Sequence, residues 1–322
     1  MSKKLFYKTL DNALGKKYSI VSSFVLDKNS IAFIAAKPHK DNWNSHLKLL
    51  AYLPEKTGEQ WYSTELNGIW GLPWFGGALN TPKHQFMFIS ESGHVHTVGG
   101  GTPLTPQNPI SNSRAALNTT DSPALFFHNA KSIEGKIYAI NNMRIVVKFT
   151  DNKWIQLKNG LPDYEEIIGK ESGFSDIDGF SEDDIYAGGG NGDLWHWNGK
   201  KWKQIDCPTN AFLDNICCGD DGLVYITMNK NAILCGRGDN WEFINQNMTD
   251  NFESIVWFKD RIYLSSSHQL FQIKDKKFSA ANEGEFRSLI WGNLSVGNGI
   301  MVAALGRRIG IYDGKTWAII SE

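Results

Sequence analysis

The stretch from Gly173 to Thr209, GFSDIDGFSEDDIYAGGGNGDLWHWNGKKWKQIDCPT, decides how the rest of the chain is interpreted. It holds four short runs separated by turns rich in Gly, Asp and Asn, namely Phe174 to Phe180, Asp184 to Ala187, Leu194 to Trp197 and Trp202 to Ile205. Looser copies of this unit precede and follow it. Four short strands repeated at a period near 40 residues are typical of a β-propeller blade.

An aromatic residue recurs at the start of the fourth run of each unit, directly after a short turn. The turns contain Asp, Asn or Gly, which tolerate the positive φ of tight hairpins. The aromatics are spaced 48, 39, 37 and 39 residues apart, at Trp154, Trp202, Trp241, Phe278 and Trp317. We expect these rings to pack each sheet against its neighbour.

A second aromatic series opens the innermost strand of four units, at Phe174, Phe212, Phe252 and Phe286. Because two markers keep one register, we predict an all-β fold: a single seven-bladed propeller of four-stranded antiparallel blades over residues 1–322, with six or eight blades as alternatives. Residues 1–17 are expected to form either a ring-closing strand or an extension. The Pro- and Gly-rich segment 99–123 is expected to form a long loop.

Composition narrows the classes of function. The chain of 322 residues has 33 basic and 34 acidic residues and a formal net charge of −1, which argues against nucleic-acid or membrane-surface partners. No C-x-x-C spacing occurs among the four cysteines, and no 18-residue apolar run is present. We therefore predict a cytoplasmic protein with reduced cysteines.

The segments from Asp183 to Gly189, DDIYAGG, and from Leu194 to Trp202, LWHWNGKKW, resemble a known repeat. The repeat is the D-V-W-A-V-G…G-x-L-x-H-x-D/N-G-x-x-W unit of bacterial propellers akin to photosystem assembly factors, and of other WD-like or sialidase-like propellers. The resemblance covers one blade closely and the last three weakly. It implies a propeller, and such propellers include binding scaffolds, enzymes and toxin-neutralising proteins.

Acidic residues on the innermost strands are the main candidates for chemistry. Asp176 and Asp178 share one face of a strand, and Asp214 and Glu253 lie at or near equivalent places in the next two blades. Such carboxylates could hold Ca²⁺ or act as an acid and base pair. They could instead be solvated residues at the channel mouth or bond to backbone amides in adjoining turns. We favour these last two roles and predict no catalytic residue and no cofactor.

Two further patterns carry less chemistry. His94 and His96 share one face of a strand but have no identifiable third metal ligand, so no metal site is predicted. A sialidase-like site would need three arginines for a substrate carboxylate, and the innermost strands offer only Arg287 clearly.

Partner-binding candidates are aromatic and charged residues at strand ends or in inserts, because exposed Trp and Arg often anchor interfaces. They are Trp43, Trp70, Trp74, Phe75, Asp176, Asp178 and Arg287.

We predict a non-enzymatic, protein-binding bacterial propeller, and within that class an immunity protein that binds and neutralises a cognate toxin. The alternatives are a metal-containing lactonase-like or glycosidase-like enzyme, and a scaffold or assembly factor.

Overall fold

The computed structural model describes residues 10–27, 29–37, 46–52, 61–66, 74–79, 84–91, 93–100, 127–151, 153–162, 173–229, 232–245, 251–281 and 292–320. Within these residues the strands form seven antiparallel sheets, each built from strands that are consecutive in the chain. The sheets are numbered here as blades 1 to 7.

The first three blades are formed by β1 to β11. Blade 1 contains β1 Ser19–Asp27, β2 Ser30–Ala36, β3 Leu47–Tyr52 and β4 Trp61–Leu66. Blade 2 contains β5 Trp74–Leu79, β6 Gln85–Ser90 and β7 Val95–Gly99. Blade 3 contains β8 Phe127–Ile133, β9 Lys136–Asn141, β10 Val146–Thr150 and β11 Lys153–Gln156.

The remaining blades each have four strands. Blade 4 contains β12 Phe174–Ser181, β13 Asp184–Gly189, β14 Leu194–Trp197 and β15 Trp202–Ile205, with a 3₁₀ turn at Gly190–Gly192. Blade 5 contains β16 Leu213–Cys218, β17 Val224–Met228, β18 Ala232–Arg237 and β19 Asn240–Asn245. Blade 6 contains β20 Phe252–Phe258, β21 Arg261–Ser266, β22 Leu270–Lys274 and β23 Lys277–Ala280, and blade 7 contains β24 Asn293–Gly297, β25 Ile300–Leu305, β26 Arg308–Tyr312 and β27 Trp317–Ile320.

Apolar residues on both faces of the middle strands hold the blades together. In β6, Phe86 and Phe88 pack toward blade 1, whereas Met87 and Ile89 pack toward blade 3. This alternation follows from the two-residue period of a strand. Among the described residues, seven buried clusters each join two consecutive blades, and one of them joins blade 7 to blade 1. The predicted seven-bladed β-propeller is thus confirmed.

The seam between blades 7 and 1 closes the ring. A backbone pair joins the two blades, in which the Ile20 N–H donates to the Gly306 carbonyl at 2.6 Å and the Gly306 N–H donates back at 2.8 Å. Residues 10–14 are helical and bury apolar side chains in this seam. Arg307 pairs with Asp11 and so ties the helix to blade 7. Of the span 1–17, expected to form a ring-closing strand or an extension, residues 1–9 lie outside the described part of the chain, as does nearly all of the loop expected at 99–123.

The aromatic series of the fourth strands lies as expected. Trp202 opens β15, is 2% exposed, and packs among residues of blades 3 and 4. Its indole N–H donates to the Leu157 carbonyl of blade 3 at 2.8 Å. A ring at this position therefore fastens one blade to the next.

The innermost aromatic series was predicted incorrectly in blade 5. Phe174 and Phe252 are buried and pair with the last residue of the second strand, but in blade 5 the equivalent pair is Leu213 with Met228. Phe212 lies one residue earlier and is 41% exposed. In blade 7 the innermost strand begins at Asn293, while Phe286 lies outside the described residues.

Candidate functional site

A central channel runs through the ring. Its cavity of about 990 Å³ is lined by the innermost strands of all seven blades, including Ser23 of β1, Gly77 of β5, Lys131 of β8, Asp176 of β12 and Ser254 of β20. We call the end of the ring where the innermost strands begin the upper face. It also carries the turns between second and third strands, such as Gly190–Gly192. The lower face carries the other hairpin turns.

The two aspartates predicted from the sequence lie in the channel wall and bond to the next blade. Asp176 is 3% exposed and accepts from the Ile216 N–H of β16 at 2.6 Å. Asp178 accepts from the Cys218 N–H at 2.9 Å. These carboxylates thus complete the backbone hydrogen bonding between the innermost strands of blades 4 and 5.

Lys131 supplies the positive charge between these carboxylates. Its ammonium nitrogen lies 3.5 Å from Asp176 and 3.5 Å from Asp178. Although burial alone lowers the pKa of Lys131, the charges of Asp176 and Asp178 raise it above its ordinary value. Because a protein cation already occupies the point between the carboxylates, their arrangement supports a structural role rather than a Ca²⁺ site.

A second cavity, of about 710 Å³, opens on the upper face above blades 3, 4 and 5. We call it the amide pocket because six asparagines line it, namely Asn129, Asn142, Asn191, Asn210, Asn215 and Asn229. Its lining among the described residues includes one carboxylate, Asp214, and neither Lys nor Arg. Desolvation raises the pKa of the Asp214 carboxyl above its ordinary value.

Phe212 projects into this pocket from a fixed backbone. The Phe212 N–H donates to the side-chain oxygen of Asn229 at 3.2 Å, and the Asn229 N–H donates back to the Phe212 carbonyl at 3.2 Å. The neighbouring Ala211 carbonyl accepts from the Gly192 N–H at 2.9 Å. The loop therefore holds the aromatic ring of Phe212 in its exposed position, because the main chain of residues 211 and 212 is hydrogen-bonded to turns of two blades.

A buried ion pair supports the floor of the pocket. Asp193 is 3% exposed and accepts two hydrogen bonds from Arg144, at 2.7 and 2.9 Å. It also accepts from the Trp195 indole N–H at 2.8 Å and from the Gly173 N–H at 2.9 Å. Since Arg144 belongs to blade 3 and Asp193 to blade 4, this network locks together two turns that line the pocket.

Close backbone packing around these turns restricts two glycines. A Cβ atom on Gly173, whose φ is +124°, would lie 1.8 Å from the Asn142 carbonyl oxygen. One on Gly192 would lie 1.9 Å from the Thr209 carbonyl oxygen. The pocket wall thus requires glycine at both positions.

The other residues predicted as partner-binding lie in several places. Trp74 and Phe75 open β5, the innermost strand of blade 2, at the upper face. Trp43, Trp70 and Arg287 lie outside the described residues. Partner contact by these five residues stays a prediction.

The histidines considered as metal ligands bond to neighbouring side chains. His96 pairs with the Tyr62 hydroxyl at 2.9 Å across blades 1 and 2, and His94 with the Ser90 hydroxyl at 3.3 Å. Within the described ranges, no group of three or more His, Cys, Asp or Glu is arranged to hold a metal ion. No helix there has the length and apolarity needed to cross a membrane.

Sequence reasoning missed the amide pocket. Its asparagines are spread over residues 129 to 229. Asn129 and Asn215 lie in strands, and the other four lie in turns or loops, where Asn is expected for conformational reasons alone. The one available signal was Phe212, which precedes Leu213, an apolar residue able to take the buried place. In the sequence Phe212 resembles a member of the series that contains Phe174 and Phe252, so its exposure was not expected.

Comparison with known proteins agrees with the fold and adds one relative. The chain is 29% identical over 256 residues to the immune protein Tsi7 of Pseudomonas aeruginosa, and the match covers 77% of this chain and 81% of that protein. No protein-family model matches the chain.

Solved structures similar to this chain are propellers of unlike function. The WD40 propeller domain of Doa1 has a TM-score of 0.62 at 11% identity, covering 94% of this chain and 95% of that one. YCF48 bound to D1 peptide has a TM-score of 0.58 at 12% identity, covering 91% and 92%. Virginiamycin B lyase from Staphylococcus aureus has a TM-score of 0.57 at 12% identity, covering 77% and 84%. At such identities the likeness concerns the fold alone, and the predicted resemblance to propeller repeat proteins is confirmed.

Proposed function

We propose that this chain is a bacterial immunity protein that binds a cognate toxin in the cytoplasm and blocks it by covering a surface the toxin needs. The observation that carries the proposal is the similarity to the immune protein Tsi7, which extends over most of both chains. A match of this extent includes the blades and their order, and not a single repeat.

The architecture supports action by binding rather than by catalysis. The channel carboxylates Asp176 and Asp178 are engaged by Lys131 and by backbone N–H groups. By contrast, the upper face carries an exposed aromatic ring on a fixed loop, which is a common feature of protein interfaces. A rigid propeller that carries such a surface is suited to act as a stoichiometric inhibitor.

Deletion of the gene in its source bacterium tests the proposal. We expect the deletion strain to be killed or inhibited by its own or its siblings' toxin, and to recover when the wild-type gene is restored. Purification of the tagged protein from the complemented strain is expected to yield the toxin in a stable complex. Normal growth of the deletion strain beside toxin-producing siblings, together with no toxin in the complex, would reject the immunity function.

A further inference from the structure

Phe212 departs from the repeat in a way that the fold does not require. In blades 3, 4 and 6 the residue at the first innermost pair is a buried phenylalanine, Phe127, Phe174 or Phe252. In blade 5 Leu213 fills that place at 0% exposure, so the packing between blades is complete without Phe212. The packing between blades 4 and 5 therefore leaves the Phe212 ring partly exposed, beside a core that is already filled.

The surroundings of Phe212 are polar and nearly uncharged. Asn142, Asn191, Asn210 and Asn229 are all exposed around it. A side-chain amide both donates and accepts hydrogen bonds, as a peptide group does, so exposed amides such as those of Asn142 and Asn210 can pair with the main chain of an entering segment. Rigid positioning of Phe212 by Asn229 lowers the entropy cost of such docking.

We infer that the amide pocket is the docking site for the partner, and that the partner inserts an uncharged loop. The peptide groups of this loop bond to the asparagines, and an apolar side chain of the loop packs on Phe212. The inference rests on the proposed function for the identity of the partner as a toxin, but the location of the site is testable without it.

Ile155 provides a matched control for Phe212. It lies on β11, the outermost strand of blade 3, and is 48% exposed, compared with 41% for Phe212. Both are exposed apolar side chains, so replacing either by Asp should leave folding intact. Asp239 serves as a second control position on the lower face, where its side chain is 83% exposed.

Site-specific photocrosslinking in the source cells locates the docking site. The photoreactive residue p-benzoylphenylalanine is introduced at position 212, 155 or 239, and covalent adducts are identified by mass spectrometry. We expect one protein adduct from position 212 and none from the other two positions. A toxin in that adduct supports both proposals, whereas a protein of another class supports the docking site and overturns the immunity function. Adducts only from position 155 or 239, or none from any position, overturn the docking site and leave immunity to the deletion test.

The second measurement is the binding affinity for the partner identified in the adduct. That partner is purified on its own, and the variants of this chain that are tested with it carry no photoreactive residue. Phe212→Asp is expected to weaken its affinity at least about tenfold, as for an interface anchor, and Ile155→Asp to change it less than about twofold. Thermal midpoints of both variants should match the wild type. Phe212→Asp binding as tightly as the wild type overturns the inference.

The dependence of partner association on ionic strength distinguishes docking at the amide pocket from docking at the charged lower face. Because the amide pocket is nearly neutral, association of the same partner is expected to change little between low and high salt. A steep fall of the association rate with salt would contradict docking by an uncharged loop.

Discussion

The two ends of the ring are built from the same repeat but carry different chemistry. Seven Lys or Arg ion pairs among the described residues surround the lower hairpin turns: Lys136–Glu182, Lys148–Glu182, Arg237–Asp184, Lys203–Asp239, Arg261–Asp260, Lys274–Asp260 and Lys276–Glu242. The upper face above blades 3 to 5 instead presents asparagines around Phe212. Its Arg144–Asp193 pair is buried beneath the surface, and Asp214 is the carboxylate that lines the pocket.

The two faces differ in how their charged side chains contribute to stability. Exposed ion pairs contribute little to stability and keep a surface solvated. The buried Arg144–Asp193 pair beneath the amide pocket fixes two turns in place, whereas a tight hairpin turn is ordered without such a pair. The lower face thus carries ion pairs around its turns, while the upper face above blades 3 to 5 presents side-chain amides and the exposed Phe212 ring.

The largest expected effect concerns the ion pairs of the two faces. Asp193→Ala should lower the free energy of unfolding by about 3–5 kcal/mol, because it leaves the buried Arg144 charge without its partner. Asp239→Ala, which removes an exposed pair with Lys203, should lower it by less than about 1 kcal/mol. Chemical denaturation of both variants measures the difference. Equal losses would contradict the contrast between the faces.

The next effect concerns two adjacent residues of blade 5. Leu213→Ala should cost about 2–5 kcal/mol of stability, since it opens a cavity between blades 4 and 5. Phe212→Ala should cost less than about 1 kcal/mol, because the ring is already partly in water. Denaturation curves of the two variants decide the matter. A larger loss for Phe212→Ala would place Phe212 in the core and remove the basis for the docking site.

A smaller effect is expected from the residue that positions Phe212. Asn229→Ala removes the acceptor of the Phe212 N–H and should destabilise the protein by about 1 kcal/mol. Partner dissociation should also become faster, because the loop loses its fixed position. Asn229→Asp keeps an acceptor oxygen, so it should restore the stability and much of the slow dissociation. Identical behaviour of the Ala and Asp variants would show that the hydrogen bond does not position the ring.

The smallest effect lies at the seam between blades 1 and 2, away from the pocket. Burial lowers the pKa of His96 below its ordinary 6.5, so the folded state resists protonation more than the unfolded state does. The stability contributed by neutral His96 is present above pH 6.5 and is lost as the pH falls below that value. The thermal midpoint should therefore fall on acidification through this range. His96→Gln should flatten the profile, and an unchanged profile would exclude His96 as a source of the pH dependence.

The ring of blades could be predicted from the sequence because it is built from a repeated unit. Trp202 and its counterparts recur where a turn ends and a fourth strand begins, and the structure places them between blades. The turns before the fourth strands of blades 3 to 7 contain Asp, Asn or Gly, and the described middle strands share the two-residue alternation, so several signals agreed with one another.

The candidate site was not predictable in the same way. Asp176 was predicted both as a partner-binding candidate and as a residue able to bond to backbone amides, but the amide that it binds, the Ile216 N–H, depends on how blade 5 is placed beside blade 4. The amide pocket likewise depends on turns of three blades meeting, which spacing along the chain does not encode. Only the one-residue offset between Phe212 and Leu213 carried local information about it.

Hydrogen–deuterium exchange of the chain, with and without the purified toxin, tests the central claim most directly, since exchange reports protection of individual backbone segments. We predict that the toxin slows exchange in residues 206–215 and 227–229, which form the blade 5 side of the amide pocket, and leaves the lower turns at 198–201 and 237–240 unchanged. Protection confined to the lower turns, with the pocket segments exchanging as in the free protein, would contradict the account.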